Sequence, residues 1–474
     1  MIDQLTLQRV AEVLGESIEL LPGPEIRIRD ARGVRHGMEA LISTAAIGPE
    51  PDRWIAQWMI RECALALGVI PASIHDLYAA RGKGQMRDDF TVPAMNLRAL
   101  AYDAARAVFR AAHSRKVGAM IFEIARSEMG YTDQSPTEYA SAILAAALVE
   151  GYKGPVFIQG DHFQVSASRY KQDPETELQA VRDVSRAAMR AGFYNIDIDT
   201  STLVDLEKET IPEQQAVNSR LSAELSAYIR EHEPEGITVS LGGEIGEVGG
   251  TNSTEPELRA YMDGFNARLE ELAPASTGLS KISIQTGTSH GGVVLPDGSI
   301  AQVSVDFDTL SHLSQVAKDY GMGGAVQHGA STLPEEAFSH FPEAGALEVH
   351  LATNFQNILF DILPDAMRDE IYTYLDEHHS DERKADQTDE QFYYKTRKRA
   401  VGAFKKKLWT LPSEVRSAIG RAWENQFGFL FEQLNVGNTD KDIAETITPL
   451  VIHEPLASFL GDTFAEEDTR DLAD

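Results

Sequence analysis

The sequence predicts a (β/α)₈ barrel flanked by helical extensions. Three observations predict it. Short apolar runs alternate with amphipathic segments from about residue 90 to residue 360, as parallel strands and crossover helices do. Eight such runs can be counted. Each ends in a polar, metal-competent or titratable residue, and catalytic groups in such barrels sit at the C-terminal strand ends. An open doubly wound sheet would need a glycine-rich phosphate loop after its first strand, and Asn96-Leu97-Arg98 is not one.

In order, the expected strands are Thr91–Asn96, Val117–Ile124, Pro155–Asp161, Tyr194–Asp199, Ile237–Leu241, Lys281–Thr286, Gly323–Gln327 and Ala346–Leu351. Continuous apolar runs of this length suit strands buried on both faces. Between them, helices are expected at Leu100–Ser114, Pro136–Gly151, Pro174–Ala191, Pro212–His232, Glu255–Ala273 and Phe307–Tyr320. Several open on proline or an acid in the first turn, a helix-start signature. Residues 1–88 show helical patterns at Leu5–Leu14 and Trp54–Leu67 and a short strand at Glu25–Arg29; they read as a mostly helical extension carrying no chemistry. Residues 89–360 form the barrel. Residues 361–474 read as a second helical extension, with helices at Pro364–His378, Phe392–Leu408 and Pro412–Leu434. The basic cluster Arg397-Lys398-Arg399 with Lys405-Lys406-Lys407 is expected to be a solvated helix face.

Composition narrows the function. The 474 residues are 43% hydrophobic and 24% charged, an ordinary globular balance. The net charge of -30 argues against general nucleic-acid binding and against an anionic membrane surface. One cysteine, Cys63, excludes an intrachain disulfide framework and suits a reducing compartment. No basic region with an apolar core opens the sequence, and no apolar stretch is long enough to span a bilayer. A cytoplasmic protein is expected.

The strand tips read Asn96, Glu123, Asp161-His162, Asp199, Glu244, His290, His328 and His350. Three histidines and a glutamate, each on its own strand, could meet at one metal ion. Neutral imidazoles suit Zn²⁺, although other divalent metals also accept them. Small residues follow two of the histidines, in His290-Gly291-Gly292 and His328-Gly329-Ala330-Ser331, where backbone N–H groups can approach an anion. Asp161 adjoins a candidate ligand and is placed to move a proton. Metal, phosphate nest and carboxylate together suggest chemistry on a phosphorylated carbonyl compound through an enediolate.

The ordered motifs Gly160-Asp161-His162, Ile198-Asp199-Thr200-Ser201, Gly243-Glu244-Ile245-Gly246-Glu247-Val248-Gly249-Gly250, Gly287-Thr288-Ser289-His290-Gly291, His328-Gly329-Ala330-Ser331 and Glu348-Val349-His350-Leu351-Ala352-Thr353-Asn354 resemble the class II, metal-dependent ketose-bisphosphate aldolases. The resemblance implies a zinc-dependent aldolase that reversibly cleaves a ketose (bis)phosphate to dihydroxyacetone phosphate and an aldehyde. It implies His162, His290 and His328 as zinc ligands, with Glu244 coordinating or supporting the metal. It makes Asp161 the group that moves the hydroxyl proton at the bond being broken. It places Gly291, Gly329, Ser331, His350, Thr353, Asn354 and, more weakly, Ser127 at the phosphate and substrate, with Asp199 and Asn96 in support. It also implies a homodimer or homotetramer.

The sequence departs from the family pattern in two places. Thr251-Asn252-Ser253 stands where acids usually follow the mobile-loop glycines, so Glu255 or Glu247 is expected to take the donor-carbon proton. His350 and Ala352 stand where the family has Asn and Asp, so the natural ketose is left open. Three other classes compete. One is a non-catalytic sugar-phosphate-binding subunit like the partners of tagatose-bisphosphate aldolases. Another is a Schiff-base aldolase, for which Lys281 lies at the wrong strand end. The third is a different zinc-dependent isomerase or hydrolase.

Overall fold

The computed structural model describes residues 4–461 apart from 24, 247–250, 288–294 and 296–303, together with Leu472. Its strands are β1 (Ile18–Leu20), β2 (Ile26–Ile28), β3 (Val69–Ala72), β4 (Val92–Asn96), β5 (Ile121–Ala125), β6 (Gly154–Gln164), β7 (Asn195–Asp199), β8 (Ser240–Glu244), β9 (Lys281–Ile284), β10 (Ala325–Gln327) and β11 (Glu348–Leu351). Strands β4 to β11 pair in sequence order, all parallel, and β11 returns to β4. The barrel is therefore closed, and all eight expected strands lie in it. Every residue of β4, β5, β7, β9, β10 and β11 is buried. Helices cover one face and the barrel interior covers the other, which explains the continuous apolar runs.

The crossover helices Ala101–Arg115, Pro136–Val149, Pro174–Ala191, Ile211–His232, Glu255–Leu272 and Phe307–Asp319 fall where the sequence places them. Their starts are built by local hydrogen bonds. Ser135 accepts from Glu138 N, Asp173 from Thr176 N, and Thr210 forms a capping box with Glu213.

Residues 1–88 are more than an outer layer. β3 joins the sheet, parallel to the lower half of β6 at Val69↔Gly154 through Ala72↔Phe157. The junction is held by one side chain. Asn195 Oδ1 accepts from Ile74 N at 2.9 Å, and its Nδ2 donates to Ile158 O at 3.0 Å and Ala72 O at 3.2 Å. At the other end of the chain, helix Ser413–Gln433 lies along Ala101–Arg115. Trp423 Nε1 donates to Phe355 O at 2.9 Å, and Thr91 N donates to Leu434 O at 3.0 Å.

The expected helix Phe392–Leu408 is broken into Asp389–Thr396, Ala400–Ala403 and Lys405–Trp409. The break lets Gly402 reach the barrel layer, where an added Cβ would lie 2.7 Å from Tyr131 O. The basic cluster is only in part a solvated face: Lys406 and Lys407 are exposed, whereas Arg397 and Lys405 are buried. Lys405 is buried against Glu138 Oε2 at 2.7 Å. Arg397 is buried between Phe360 and Tyr394, 4.8 Å and 4.6 Å from their ring centroids. Lys407 pairs with Glu370. Among the described residues no helix is long and apolar enough to cross a membrane.

Candidate metal and proton-transfer site

The centre of the site is an irregularity in one strand. β6 pairs with β7 at Gln159↔Asn195 and Gly160↔Ile196, then resumes at Phe163↔Ile198. Asp161 and His162 are left out of register between these pairs, and His162 adopts φ +40°. A bulge of this kind re-aims side chains, and a non-glycine residue at positive φ is held there by its surroundings. Gly160 is required beside it, because a Cβ there would lie 2.3 Å from the Phe163 ring.

The bulge brings His162 to the tips of β7, β8 and β10. His162 Nδ1 lies 3.2 Å from Asp199 Oδ2 and 3.2 Å from Glu244 Oε2. Its ring centroid is 4.4 Å from that of His328, whose Nε2 lies 2.9 Å from Ser283 Oγ. Asp161, His162 and His328 offer ligand atoms within 4.8 Å of one another, and so do His162, Asp199 and Glu244. For metal–ligand bonds of about 2.0–2.1 Å, tetrahedral ligand atoms stand roughly 3.3 Å apart. The two 3.2 Å contacts of His162 Nδ1 are imidazole–carboxylate contacts near that spacing, and the two imidazoles with Asp161, Asp199 and Glu244 suit a divalent ion in donor chemistry.

A second layer lies beneath. His350 packs against His328 with ring centroids 4.0 Å apart and the rings tilted by 43°. Its Nδ1 faces Glu123 Oε2 at 3.1 Å and Asp161 Oδ1 at 3.2 Å, and its Nε2 faces Glu348 Oε1 at 2.7 Å. Lys281 Nζ donates to Glu348 Oε1 at 2.5 Å and Gln159 Oε1 at 2.7 Å, and lies 2.9 Å from Asp197 Oδ1. Gln159 Nε2 in turn donates to Glu123 and Glu348, each at 3.0 Å. Tyr78 donates to the other oxygen of Glu348.

These groups set one another's protonation. Burial, followed by the Asp199 carboxylate, pushes Glu244 up to about 7. Burial pushes Asp197 up to about 6 and holds Glu123 well above the usual carboxylate range. Burial would raise Asp161 too, but the charges of His162 and His350 outweigh it and hold its carboxyl well below that range. Within one buried cluster Glu244, Asp197 and Glu123 are thus driven up and Asp161 down, the opposed shifts that acid–base sites use.

Other expected residues are placed differently. His290, Gly291 and Glu247 lie outside the described residues. Glu255 sits at the exposed start of helix Glu255–Leu272, paired with Arg259 at 2.8 Å and His312 at 2.7 Å. Arg259 and His312, not the buried cluster, are its neighbours, so the expectation of Glu255 as base does not match this arrangement. Asn96 donates to Glu128 Oε2 at 2.6 Å, and Glu128 is also held by Arg98 at 2.6 Å. Asn96 therefore braces the loop after β5, where Ser127 is buried in the first turn of helix Arg126–Thr132. Gly329 takes φ +67° between His328 and a short 3₁₀ turn.

Ser331 Oγ accepts from Ala352 N at 2.6 Å and Thr353 N at 3.2 Å. It caps the helix Thr353–Ile362, which carries Thr353 and Asn354 in its first turn. Ser331→Ala is expected to cost about 1 kcal/mol, read as a shift of the urea midpoint at unchanged slope.

The sequence reading missed Asp197, Glu348 and Gln159, noted Glu123 only as a strand tip, and set Lys281 aside. A signal was present: each is a polar or charged residue next to apolar ones in an expected strand, and buried charges are rarely found without partners. Lys281 begins β9, yet its amine reaches two carboxylates in the barrel interior. Burial would lower its pKa, but Asp197 and Glu348 raise it. That is the opposite of the neutral amine a Schiff base needs.

The class-II fructose-bisphosphate aldolase family model matches residues 83–409. No curated protein matches the chain. Among solved structures, a fructuronate-tagaturonate epimerase from Cohnella laeviribosi is 12% identical with a TM-score of 0.56, covering 89% of this chain and 90% of that one. A probable tagatose 6 phosphate kinase from Sinorhizobium meliloti is 15% identical with a TM-score of 0.52, covering 73% and 97%. A putative fructose-1,6-biphosphate aldolase from Coccidioides immitis is 17% identical with a TM-score of 0.45, covering 77% and 97%. At these identities the likeness to the first two is one of fold.

Proposed function

Because the chain belongs to the class-II fructose-bisphosphate aldolase family, we propose that it is a zinc-dependent aldolase acting on a ketose (bis)phosphate, with dihydroxyacetone phosphate as the donor product. The observation that carries this reading is the meeting of His162, His328, Glu244 and Asp161 at the β6 bulge. A divalent ion held by His162 and His328, with Glu244 and Asp199 beside them, supplies Lewis-acid polarisation of a carbonyl when bound. The residues do the rest. Asp161, ionised and 3.2 Å from His350 Nδ1, takes the hydroxyl proton at the carbon–carbon bond being broken. His350 has carboxylates at both ring nitrogens, so it orients Asp161 rather than the substrate.

The test needs no knowledge of the aldehyde. The protein is incubated with dihydroxyacetone phosphate in heavy water, and the donor-carbon protons are followed by NMR. Exchange is expected, lost on adding a chelator and restored by zinc. No exchange in the zinc-loaded protein would sink the reading and favour a binding-only subunit.

A second reading is a ketose epimerase. It is favoured by the fold match to the fructuronate-tagaturonate epimerase, which covers 89% of this chain and so reaches into both extensions. The chemistry is adjacent: cleavage followed by re-addition to the other face of a retained aldehyde inverts the hydroxyl carbon. Supplying a ketose and separating the products distinguishes the two, since an epimerase returns a ketose and an aldolase releases two fragments.

A further inference from the structure

A polar cavity of about 400 Å³ lies outside the barrel, between helices Ala101–Arg115 and Ser413–Gln433. It shares no lining residue with the buried site. Four arginines line it: Arg106, Arg110, Arg416 and Arg421. In a chain of net charge -30 such a concentration of guanidinium groups is unusual, and any anion it attracts must be drawn by local donors.

Arg106, Arg110 and Arg421 are only partly occupied, whereas Arg416 is engaged through all three nitrogens. Arg106 and Arg110 both lean on the same oxygen of Glu150, at 2.7 Å and 3.1 Å. Arg110 also reaches Glu424 through Nε at 2.6 Å, and Arg416 is held by Asp103 at 2.8 Å and Glu39 at 2.9 Å. A guanidinium has five N–H donors, so the pairs of Arg106 and Arg110 fix these side chains while leaving donors over. Arg421 is exposed and makes no ion pair among the described residues.

The helix that forms one wall has a glycine at position 420, in the middle of its 21 residues. Glycine there costs about 1 kcal/mol of helix propensity relative to alanine. A Cβ at this position would stand 3.6 Å from Arg110 Nη2, so its absence keeps the wall open beside that donor. The hydroxyl-bearing Ser413 and Ser417, on the first turns of the same helix, also line the cavity.

We propose that this cavity is a binding site for a small phosphorylated metabolite, whose phosphoryl group is held by Arg110 and Arg421 against the open wall at Gly420. Its volume is that of a small-ligand pocket, and its lining excludes an apolar occupant. The lining acids Glu39, Asp103 and Glu424 fix arginines and would set the orientation of the rest of the ligand.

The test titrates the full-length, zinc-loaded protein with AMP, inorganic phosphate and adenosine, read by calorimetry and by ³¹P line broadening. AMP is expected to bind and adenosine is not. Binding of inorganic phosphate as well would show that the phosphoryl group alone is recognised, whereas binding of AMP alone would show that the nucleoside is read too. Arg421→Glu, at an exposed position, is expected to weaken binding at least about tenfold, the loss of one charge-assisted contact. Gly420→Leu should do the same by filling the wall, with circular dichroism confirming the fold. His328→Ala should bind as the native protein does. Affinity unchanged in both cavity variants, loss of binding in His328→Ala, or no AMP binding up to roughly 1 mM would each overturn the proposal.

Discussion

Asp161→Asn is expected to lower the rate of ketose cleavage by about two to four orders of magnitude, the usual contribution of a positioned acid–base group. The substitution is nearly isosteric. The amide oxygen still accepts from His350 Nδ1, which lies 3.2 Å from the carboxylate, so the side chain keeps its place. What is lost is an ionised oxygen able to take a proton. The charges of His162 and His350 hold that oxygen ionised, and a cation bound at His162 would take over that imidazole's part, so substitution removes a base already in its working state. Fructose 1,6-bisphosphate serves as the probe substrate, with kcat and zinc content measured together. Zinc content should stay near the native value in Asp161→Asn and fall in His328→Ala. Donor-carbon exchange in dihydroxyacetone phosphate should survive Asp161→Asn better than cleavage does, because that proton leaves a different atom. A cleavage rate within about threefold of native would remove Asp161 from the mechanism.

The fold was legible because a closed parallel barrel repeats one simple unit. Each strand is largely buried on both faces and most crossover helices on one, so apolar runs and amphipathic segments alternate over most of the stretch from β4 to β11; helix Pro136–Val149 is buried nearly all round, and only short turns and His340–Glu343 link β10 to β11. The upper layer of the site was legible for a related reason: catalytic groups gather at strand ends, and Asp161, His162, Asp199, Glu244 and His328 all stand there. The β6 bulge was not legible, because it is a register shift between two strands and no local composition marks it. Glu255 looked like a replacement for the loop acids by position alone. Its two partners come from one turn along its own helix and from helix Phe307–Asp319, and the second is invisible in sequence. The lower layer was hidden by the strand-end rule itself. Asp197 and Glu348 lie before their strand tips and point into the barrel, where the rule does not look.

Lys281→Met should be the most destabilising of the substitutions considered, by about 3–5 kcal/mol, because it leaves buried charge uncompensated. Lys281 is 1% exposed, and its ion-pair partners Asp197 and Glu348 are 8% and 0% exposed at the side chain. Methionine keeps much of the length and supplies no charge. Glu348 would then face His350 on one oxygen and Tyr78 on the other, while Gln159 Oε1 would lose its donor. Urea unfolding followed by circular dichroism measures the loss. The double variant Lys281→Met, Glu348→Met separates charge from packing: if uncompensated charge dominates, removing both partners should recover part of what the single change cost. If the single variant loses less than about 1 kcal/mol, the lysine is not what neutralises this layer, and the carboxyls must be protonated in the native state. That outcome would also change the reading of the site above it, because His350 would then meet neutral acids and would no longer be held between carboxylates as the group that orients Asp161.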